Sequence, residues 1–219
     1  MSGDMVLYVW NYNYSSWSMR AGIALRQTGA RFREVSVHAG GSDPVALKAL
    51  SPSGRFPLLE HGGVRVWDSL AIGEYLHEQF PQAGLWPAAS EARAHARAMA
   101  AEMHSGFEAL RSALPMNIRQ QYSGFYKSLA VRREITRIAE MWADCLRRFG
   151  GSGPFLFGAF NLVDAFFAPV VMRFVSYDVK LPAPLSAYVD AVRNHPHVID
   201  WVERAPGDPQ RADHYEYER

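Results

Sequence analysis

The sequence changes character near residue 85, and this change constrains the fold more than any other feature. Before it, short apolar runs rich in β-branched and aromatic residues alternate with helix-like stretches. After it, the strand signals disappear, and alanine, arginine and glutamate dominate. Strands mixed with helices predict an α/β domain, whereas helical periodicity alone predicts a bundle. We therefore predict an α/β domain over residues 1–84 and an all-helical domain over residues 88–219.

The first domain is predicted to have the element order β-α-β-α-β-β-α. A helical face that follows the first strand stops at Gly29, and a glycine turn joins the last two strands. Asp68 is a candidate N-cap for the helix that closes the domain. The predicted strands span 5–10, 32–37, 58–60 and 64–66. One predicted helix follows the first strand, a second begins at Asp43, and a third spans 68–80.

The second domain is predicted to be helical throughout. Asn161 and Asp164 can cap an apolar segment over residues 165–177, which must be almost wholly buried. The polar tail over residues 206–219 is expected to be loosely held. The predicted helices, in chain order, span 90–114, 130–149, 165–177, 183–194 and 196–204.

Composition and charge exclude several classes of function. The formal net charge is +1, from 23 basic and 22 acidic residues, so there is no electrostatic footprint for nucleic acid or an acidic membrane surface. Cys145 is the one cysteine, which excludes an internal disulfide, and we interpret it as a small apolar residue in a helix stripe rather than a redox switch. No histidine–carboxylate set has metal-ligand spacing. Without a leader or a spanning apolar run, we expect a cytoplasmic protein.

Three serines lie where the first strand gives way to the first helix, in residues 13–20 (NYSSWSMR). The start of a helix offers free backbone N–H groups and a positive dipole end, which together favour an anion. A thiolate is such an anion, and thiol pKa values fall at helix N-termini. Because no cysteine is present here, the thiol would have to arrive on a ligand. The alternative is that Ser15, Ser16 or Ser18 only caps the helix.

Two later segments could bind the polar parts of a peptide-like ligand. Pro57 directly precedes a strand, and because only about 5–6% of X–Pro bonds are cis, the base rate predicts a trans bond. A cis bond would turn the N–H and C=O of Phe56 sideways, so that a peptide could pair with them as an added strand. Asp68 and Ser69 open a helix, where the N–H and hydroxyl of Ser69 can hold a carboxylate. A plain Asp68 cap is the alternative.

Together these features resemble the soluble glutathione S-transferase family over nearly the whole chain. The family segment S/N-P-x-G-K-V-P-x-L is echoed by residues 51–59 (SPSGRFPLL), and the helix start E-S-x-A-I by residues 68–72 (DSLAI). The capping box of the family's helical domain is echoed by residues 161–164 (NLVD). Residues 15–18 (SSWS) resemble the S-S-C-S motif of zeta-class members, with Trp17 at the cysteine position. Thiol–disulfide exchange through an enzyme cysteine at this site is therefore excluded.

The resemblance implies a thioredoxin-like first domain, and an enzyme whose co-substrate is glutathione. The glutathione thiolate would attack a small, hydrophobic electrophile, with Ser15 as hydrogen-bond donor to the thiolate and Ser16 as its substitute. A homodimer without a metal is also implied. A glutathione-dependent isomerase and a non-catalytic scaffold that keeps the fold remain the alternatives.

The resemblance also assigns the remaining positions. Two of these positions, His38 and His104, also have interpretations that need no ligand: His38 as an exposed loop residue, and His104 as a surface helix residue. The expected glutathione-binding residues are Arg55, Phe56, Pro57, Asp68, Ser69 and His38. The expected walls of the electrophile pocket are Trp17, Met103, His104 and Phe107.

Overall fold

The N-terminal part of the computed structural model is a four-stranded sheet with three helices. The structure describes residues 4–37, 44–124, 126, 128–151 and 153–217. The predicted order of elements is confirmed. Asp43, where the second helix was expected to begin, lies outside the described residues. The elements are β1 (Met5–Val9), α1 (Ser16–Gln27), β2 (Arg33–Ser36), α2 (Pro44–Leu50), β3 (Leu58–His61), β4 (Val64–Trp67) and α3 (Ser69–Gln79).

The sheet brings the two predicted ligand-binding segments together. Its strand order is β2-β1-β3-β4, with β1 parallel to β2, and β3 antiparallel to both of its neighbours. Gly62 and Gly63 form the tight turn between β3 and β4 with φ of 55° and 87°, a conformation that favours glycine. In this register Leu58 pairs with Trp67. The residues that enter β3 therefore lie beside those that open α3.

The C-terminal part is helical, but the predicted single helix over residues 90–114 is wrong. It is interrupted at Gly106 and Phe107, and Phe107 has a positive φ of 61°. The interruption turns the Phe107 ring into the core, and the carboxylate of Glu134 accepts the Leu110 N–H at 2.7 Å near the start of the second piece. The helices are α4 (Ser90–Ser105), α5 (Glu108–Ala113), α6 (Leu129–Phe149), α7 (Leu162–Ser176), α8 (Ala183–Arg193) and α9 (Pro196–Val202).

Helix α7 runs through the centre of the molecule, as its apolar sequence predicts. Its capping box is confirmed, because the Asn161 side chain accepts the Val163 N–H at 2.9 Å and Asp164 accepts the Asn161 N–H at 2.9 Å. Almost every residue of α7 is buried, and the helix packs against both α1 and α4. The helical domain is thus anchored directly on the helix that follows the serine-rich junction.

The C-terminal tail is not loosely held, so that prediction is wrong. The Asp208 carboxylate accepts the backbone N–H of Tyr12 at 2.8 Å, and Glu216 accepts a hydrogen bond from Asn117 at 3.1 Å. Short 3₁₀ turns at Ala205–Gly207 and Asp213–Tyr215 shape the segment between them. Its polar sequence was misleading because the polar side chains bind buried partners from both domains.

Cys145 is buried in α6, where its thiol donates to the Leu156 carbonyl at 3.2 Å, and burial raises the pKa of that thiol. This agrees with its interpretation as a packing residue.

In the part of the chain that the structure describes, no helix combines the length and apolar character needed to cross a bilayer. Residues 4–37, 44–124, 126, 128–151 and 153–217 also contain no cluster of three or more potential metal ligands.

Candidate active site

Two adjoining cavities open at the start of α1. The first has a volume of about 360 Å³ and the second about 420 Å³. Trp17, Arg55 and Phe56 line both, so the two cavities form one continuous candidate site. The first cavity is also lined by Trp10, Tyr14, Ser15, Ser16, Arg111, Pro115, Met116, Arg173 and Tyr215. The second is also lined by Ser53, Pro57, Trp67, Asp68, Ser69 and His104.

Ser15 and Ser16 both face the first cavity, but different partners hold their hydroxyl groups. Ser15 is the N-cap of α1: its oxygen accepts the Ser18 N–H at 3.2 Å, and its hydroxyl donates to the Ser18 oxygen at 2.9 Å. The Ser16 oxygen accepts a longer bond of 3.4 Å from the Arg173 guanidinium. The capping interpretation of Ser15 is therefore correct in this structure, and capping leaves both side chains on the cavity wall.

The Phe56–Pro57 peptide bond is cis, contrary to the prediction from base rates. Such rates carry no information about the loop that surrounds one particular bond. The Ser51 hydroxyl donates to the Arg55 carbonyl at 2.7 Å and so fixes the approach to Phe56. Among the described residues, nothing forms a hydrogen bond with the backbone N–H or C=O of Phe56. Phe56 thus lines both cavities with its peptide groups free of protein partners.

Asp68 and Ser69 open α3 as predicted, at the wall of the second cavity. The Asp68 side chain accepts the Leu70 N–H at 2.8 Å and is the N-cap of the helix. Ser69 is buried, and within the described chain its hydroxyl has no hydrogen-bond partner. A buried hydroxyl without a partner is costly unless a ligand satisfies it. Ser69 is therefore well placed to donate a hydrogen bond to a ligand carboxylate at the start of α3.

His104 belongs to this site and is not an ordinary surface helix residue. Its Nε2 lies 3.2 Å from Asp68 Oδ2, and its ring packs edge-on against Trp17 at a centroid distance of 5.2 Å. Burial lowers the pKa of His104 from 6.5, and Arg20 and Arg111 lower it further, whereas Asp68 opposes the shift. His104 therefore packs between Trp17 and Asp68 at the wall of the second cavity, and within the described chain its Nδ1 has no hydrogen-bond partner.

Three arginines lie near the start of α1 and were not singled out from the sequence. The guanidinium groups of Arg20 and Arg111 lie 4.7 Å and 4.6 Å from the Trp17 ring centroid. Arg173 reaches the same region from α7, and burial, followed by the charge of Arg111, lowers its pKa to about 10. In the described part of the chain, none of the three forms an ion pair with a carboxylate. The result is a buried positive region beside the serines.

The most informative missed residue is Arg173. A charged side chain inside a helix that the sequence predicts to be buried is rare unless a partner or a ligand compensates it. That position could have been flagged from the sequence alone. Arg20 offered a weaker signal, because one arginine near the polar start of a helix is common.

Two predicted wall residues do not face the cavities. Met103 is fully buried, and Phe107 packs into the same core because of the break between α4 and α5. The structure therefore gives no support to their assignment to the electrophile pocket. His38, a predicted glutathione contact, lies outside the described residues. The missed walls are Trp10, Tyr14 and Tyr215, the last of which comes from the C-terminal tail.

A thioredoxin-like sheet domain is packed on a helical domain, with an anion-favouring helix start between them. This arrangement defines a class of thiol-using enzymes and their relatives. Residues 9–84 match the family model described as glutathione S-transferase, N-terminal domain, and residues 91–204 match the corresponding C-terminal domain. The chain belongs to the glutathione S-transferase family.

Individual relatives share the fold and vary in reaction. A maleylpyruvate isomerase from Ralstonia sp. is 37% identical over 95 residues, which cover 42% of this chain and 45% of the relative. Glutathione S-transferase 1 from Dianthus caryophyllus is 25% identical over 78% of both chains. A glutathione transferase homologue from Burkholderia gl BGR1, solved with bound glutathione, is 25% identical with a TM-score of 0.70, covering 93% of this chain and 98% of that one.

In the sequence comparison, two of the isomerase relatives are matched over only part of their length. The alignment with the Ralstonia protein spans less than half of it, and that with a maleylacetoacetate isomerase from Dictyostelium discoideum spans 55% at 31% identity. The family and these relatives support a glutathione-dependent transferase or isomerase. They leave the substrate and the catalytic residues to be derived from the site.

Proposed function

We propose that this chain is a glutathione-dependent enzyme that holds the glutathione thiolate at the start of α1. The observation that carries the proposal is the position of Ser15 and Ser16, which line a cavity at that helix start beside the buried Arg173. Ser15 is the proposed donor to the thiolate, because its proton can turn from the Ser18 oxygen to a sulfur atom in the cavity. Ser16, held by Arg173, is the second candidate.

The rest of glutathione is proposed to lie along the second cavity. Ser69 and the start of α3 would bind the γ-glutamyl carboxylate, and Asp68 would face the amino group. The free peptide groups of Phe56, ahead of Pro57, would pair with the cysteinyl part. Arg55 lines both cavities and is the proposed contact for the glycine carboxylate, a role for which His38 is the alternative.

Only a modest stabilisation is needed to ionise the glutathione thiol near neutral pH. A thiol with a pKa of about 8.5 is only about 3% ionised at neutral pH. Lowering the pKa by about two units needs about 2.7 kcal/mol of differential stabilisation, and a charge-assisted hydrogen bond contributes about 1.5–3 kcal/mol. One serine hydroxyl with the dipole of α1 is therefore sufficient. Serine must donate here, because its own proton is held too tightly for it to act as a base.

The electrophile is proposed to combine an apolar body with an acidic group. Trp10, Tyr14 and Met116 give the first cavity apolar walls, whereas Arg111 and Arg173 give it positive charge. Several relatives are named as maleylpyruvate or maleylacetoacetate isomerases, whose names denote acidic substrates. This charge favours an isomerase or transferase acting on a carboxylate-bearing electrophile. Comparing the turnover of an unsaturated acid with that of its methyl ester tests the substrate class, and equal kcat/KM for the two would contradict it.

The first experiment is an ultraviolet titration of glutathione bound to the protein, which follows thiolate absorbance from acid to alkaline pH. A bound-thiol pKa well below the value for free glutathione is the expected result. Absence of binding, or an unshifted thiol, would contradict the enzyme proposal and favour a scaffold that keeps the fold. From the family resemblance we also propose a homodimer and a cytoplasmic location, which sedimentation and cell fractionation test.

A further inference from the structure

The C-terminal segment over residues 208–217 contributes Tyr215 to the wall of the first cavity and is fixed at both ends. At one end, the Asp208 carboxylate accepts hydrogen bonds from the Asn11 side chain at 3.0 Å and the Tyr12 backbone at 2.8 Å. At the other end, Glu216 accepts hydrogen bonds from the hydroxyl of Tyr14 and the side chain of Asn117. The segment therefore spans from the sheet domain to the loop that precedes α6.

Tyr215 is the residue of this segment that lines the cavity. Its ring lies 5.5 Å from the ring of Tyr14 and 6.5 Å from that of Trp10, measured between centroids. Its hydroxyl forms no hydrogen bond with the described residues, and Arg173 lines the same cavity. Tyr215 thus presents an aromatic face and a free hydroxyl to the cavity that the buried Arg173 also lines.

We propose that Tyr215 is a specificity-determining residue that contacts the electrophile. Its ring packs on the planar apolar body of the electrophile, and its hydroxyl donates to an acidic oxygen that Arg173 also binds. The chemistry of the occupant rests on the proposed function. The position of Tyr215 in the cavity wall does not, because it follows from the two anchors of the segment and from the ring contacts.

The neighbouring residues provide matched variants. Tyr215→Ala removes the ring, and Tyr215→Phe removes only the hydroxyl, which has no bond whose loss would destabilise the fold. Tyr217→Phe is the control in the same segment: its hydroxyl donates to the Ala113 carbonyl at 2.9 Å, and it is not a wall of the cavity. The probe is anilinonaphthalene sulfonate, an aromatic anion that fluoresces when bound in apolar surroundings. Only the signal displaced by S-hexylglutathione is counted.

We expect Tyr215→Ala to weaken binding of the displaceable probe by about five- to tenfold, in the range of a single aromatic contact. Tyr215→Phe should weaken it by about two- to threefold, and Tyr217→Phe should leave it unchanged. The Kd for glutathione should stay within twofold in all three. Unchanged probe binding in Tyr215→Ala, or an equal loss of glutathione affinity, would overturn the proposal. Failure of the enzyme proposal is separate, because it shows in wild-type protein as an unshifted thiol pKa, or as a probe signal that S-hexylglutathione does not displace, whereas failure of the Tyr215 proposal shows as equal displaceable signals in wild type and Tyr215→Ala.

Discussion

Replacing Ser15 tests the proposed thiolate site most directly, because its hydroxyl has two roles that different variants separate. It caps α1 by accepting the Ser18 N–H at 3.2 Å, and it is the proposed donor to the thiolate. Ser15→Ala removes both roles. Ser15→Asp keeps an oxygen that can cap the helix but has no proton to donate. Ser15→Thr keeps both, so it should retain the wild-type behaviour.

The expected size of the effect follows from the hydrogen bond that is lost. A bond to a charged group contributes about 1.5–3 kcal/mol, and one pKa unit corresponds to about 1.36 kcal/mol, so the bound thiol pKa should rise by about 1–2 units. If the wild-type value is about 6.5 and the variant value about 8, the ionised fraction at pH 6.5 falls from about 50% to about 3%. The rate at that pH should therefore fall about 15-fold, and the difference should nearly vanish at pH 9.

The assay is the thiolate titration, combined with the pH dependence of the conjugation rate. Ser128→Ala is the matched control, since Ser128 caps α6 by accepting the Val131 N–H at 3.2 Å. It should lose about 1 kcal/mol of stability without moving the thiol pKa. An unshifted thiol pKa in Ser15→Ala, with a shifted one in Ser16→Ala, would transfer the role to Ser16. No shift in either variant would refute donation by a serine.

Three further predictions concern charge, pH and packing around the same site. Arg111→Met should raise the KM of a carboxylate-bearing electrophile about tenfold or more and leave that of its methyl ester within twofold, as steady-state kinetics would show. The pKa of His104 lies below 6.5 in the folded state, so His104 makes the protein lose stability as the pH falls from about 6.5 through that lower pKa. His104→Asn, which removes the titrating ring, should therefore lose less thermal stability than the wild type between pH 7 and pH 5. Gly22→Ala should cost about 1–3 kcal/mol in urea unfolding, because the added Cβ would lie 2.5 Å from the Trp201 ring, and an unchanged midpoint would contradict this tight packing.

Features that depend on neighbouring residues could be predicted from the sequence. The cap at Asp68 and the box formed by Asn161 and Asp164 each involve groups within a few positions of one another. The turn at Gly62 likewise needs only local backbone conformation. These local signals also fix the order of elements, and the order places the serine-rich junction beside the opening of α3. Much of the fold and the proposed glutathione-binding part of the site therefore follow from short patterns.

Features that depend on distant parts of the chain were missed or mistaken. Tyr215 reaches the cavity because Asp208 and Glu216 find partners far away in sequence, and a polar tail gives no sign of such partners. The helix break at Phe107 was missed for a related reason, since the carboxylate of Glu134, from another helix, accepts a backbone N–H at the new helix start. Periodicity alone cannot report an acceptor supplied by another element.

Trp17, which stands at the cysteine position of the zeta-class motif, and the arginines that the sequence analysis missed belong to one structural feature. Two guanidinium groups lie over its ring, and a cation over an indole gains about 0.5–2 kcal/mol, depending on its exposure to solvent. That gain offsets part of the cost of burying Arg20, whose Nε and Nη1 have no partner among the described residues, and of Arg111 beside it. A cysteine at this position could not supply such a face. The tryptophan therefore allows positive charge to be held next to Ser16, where a thiolate and an acidic substrate would both be stabilised.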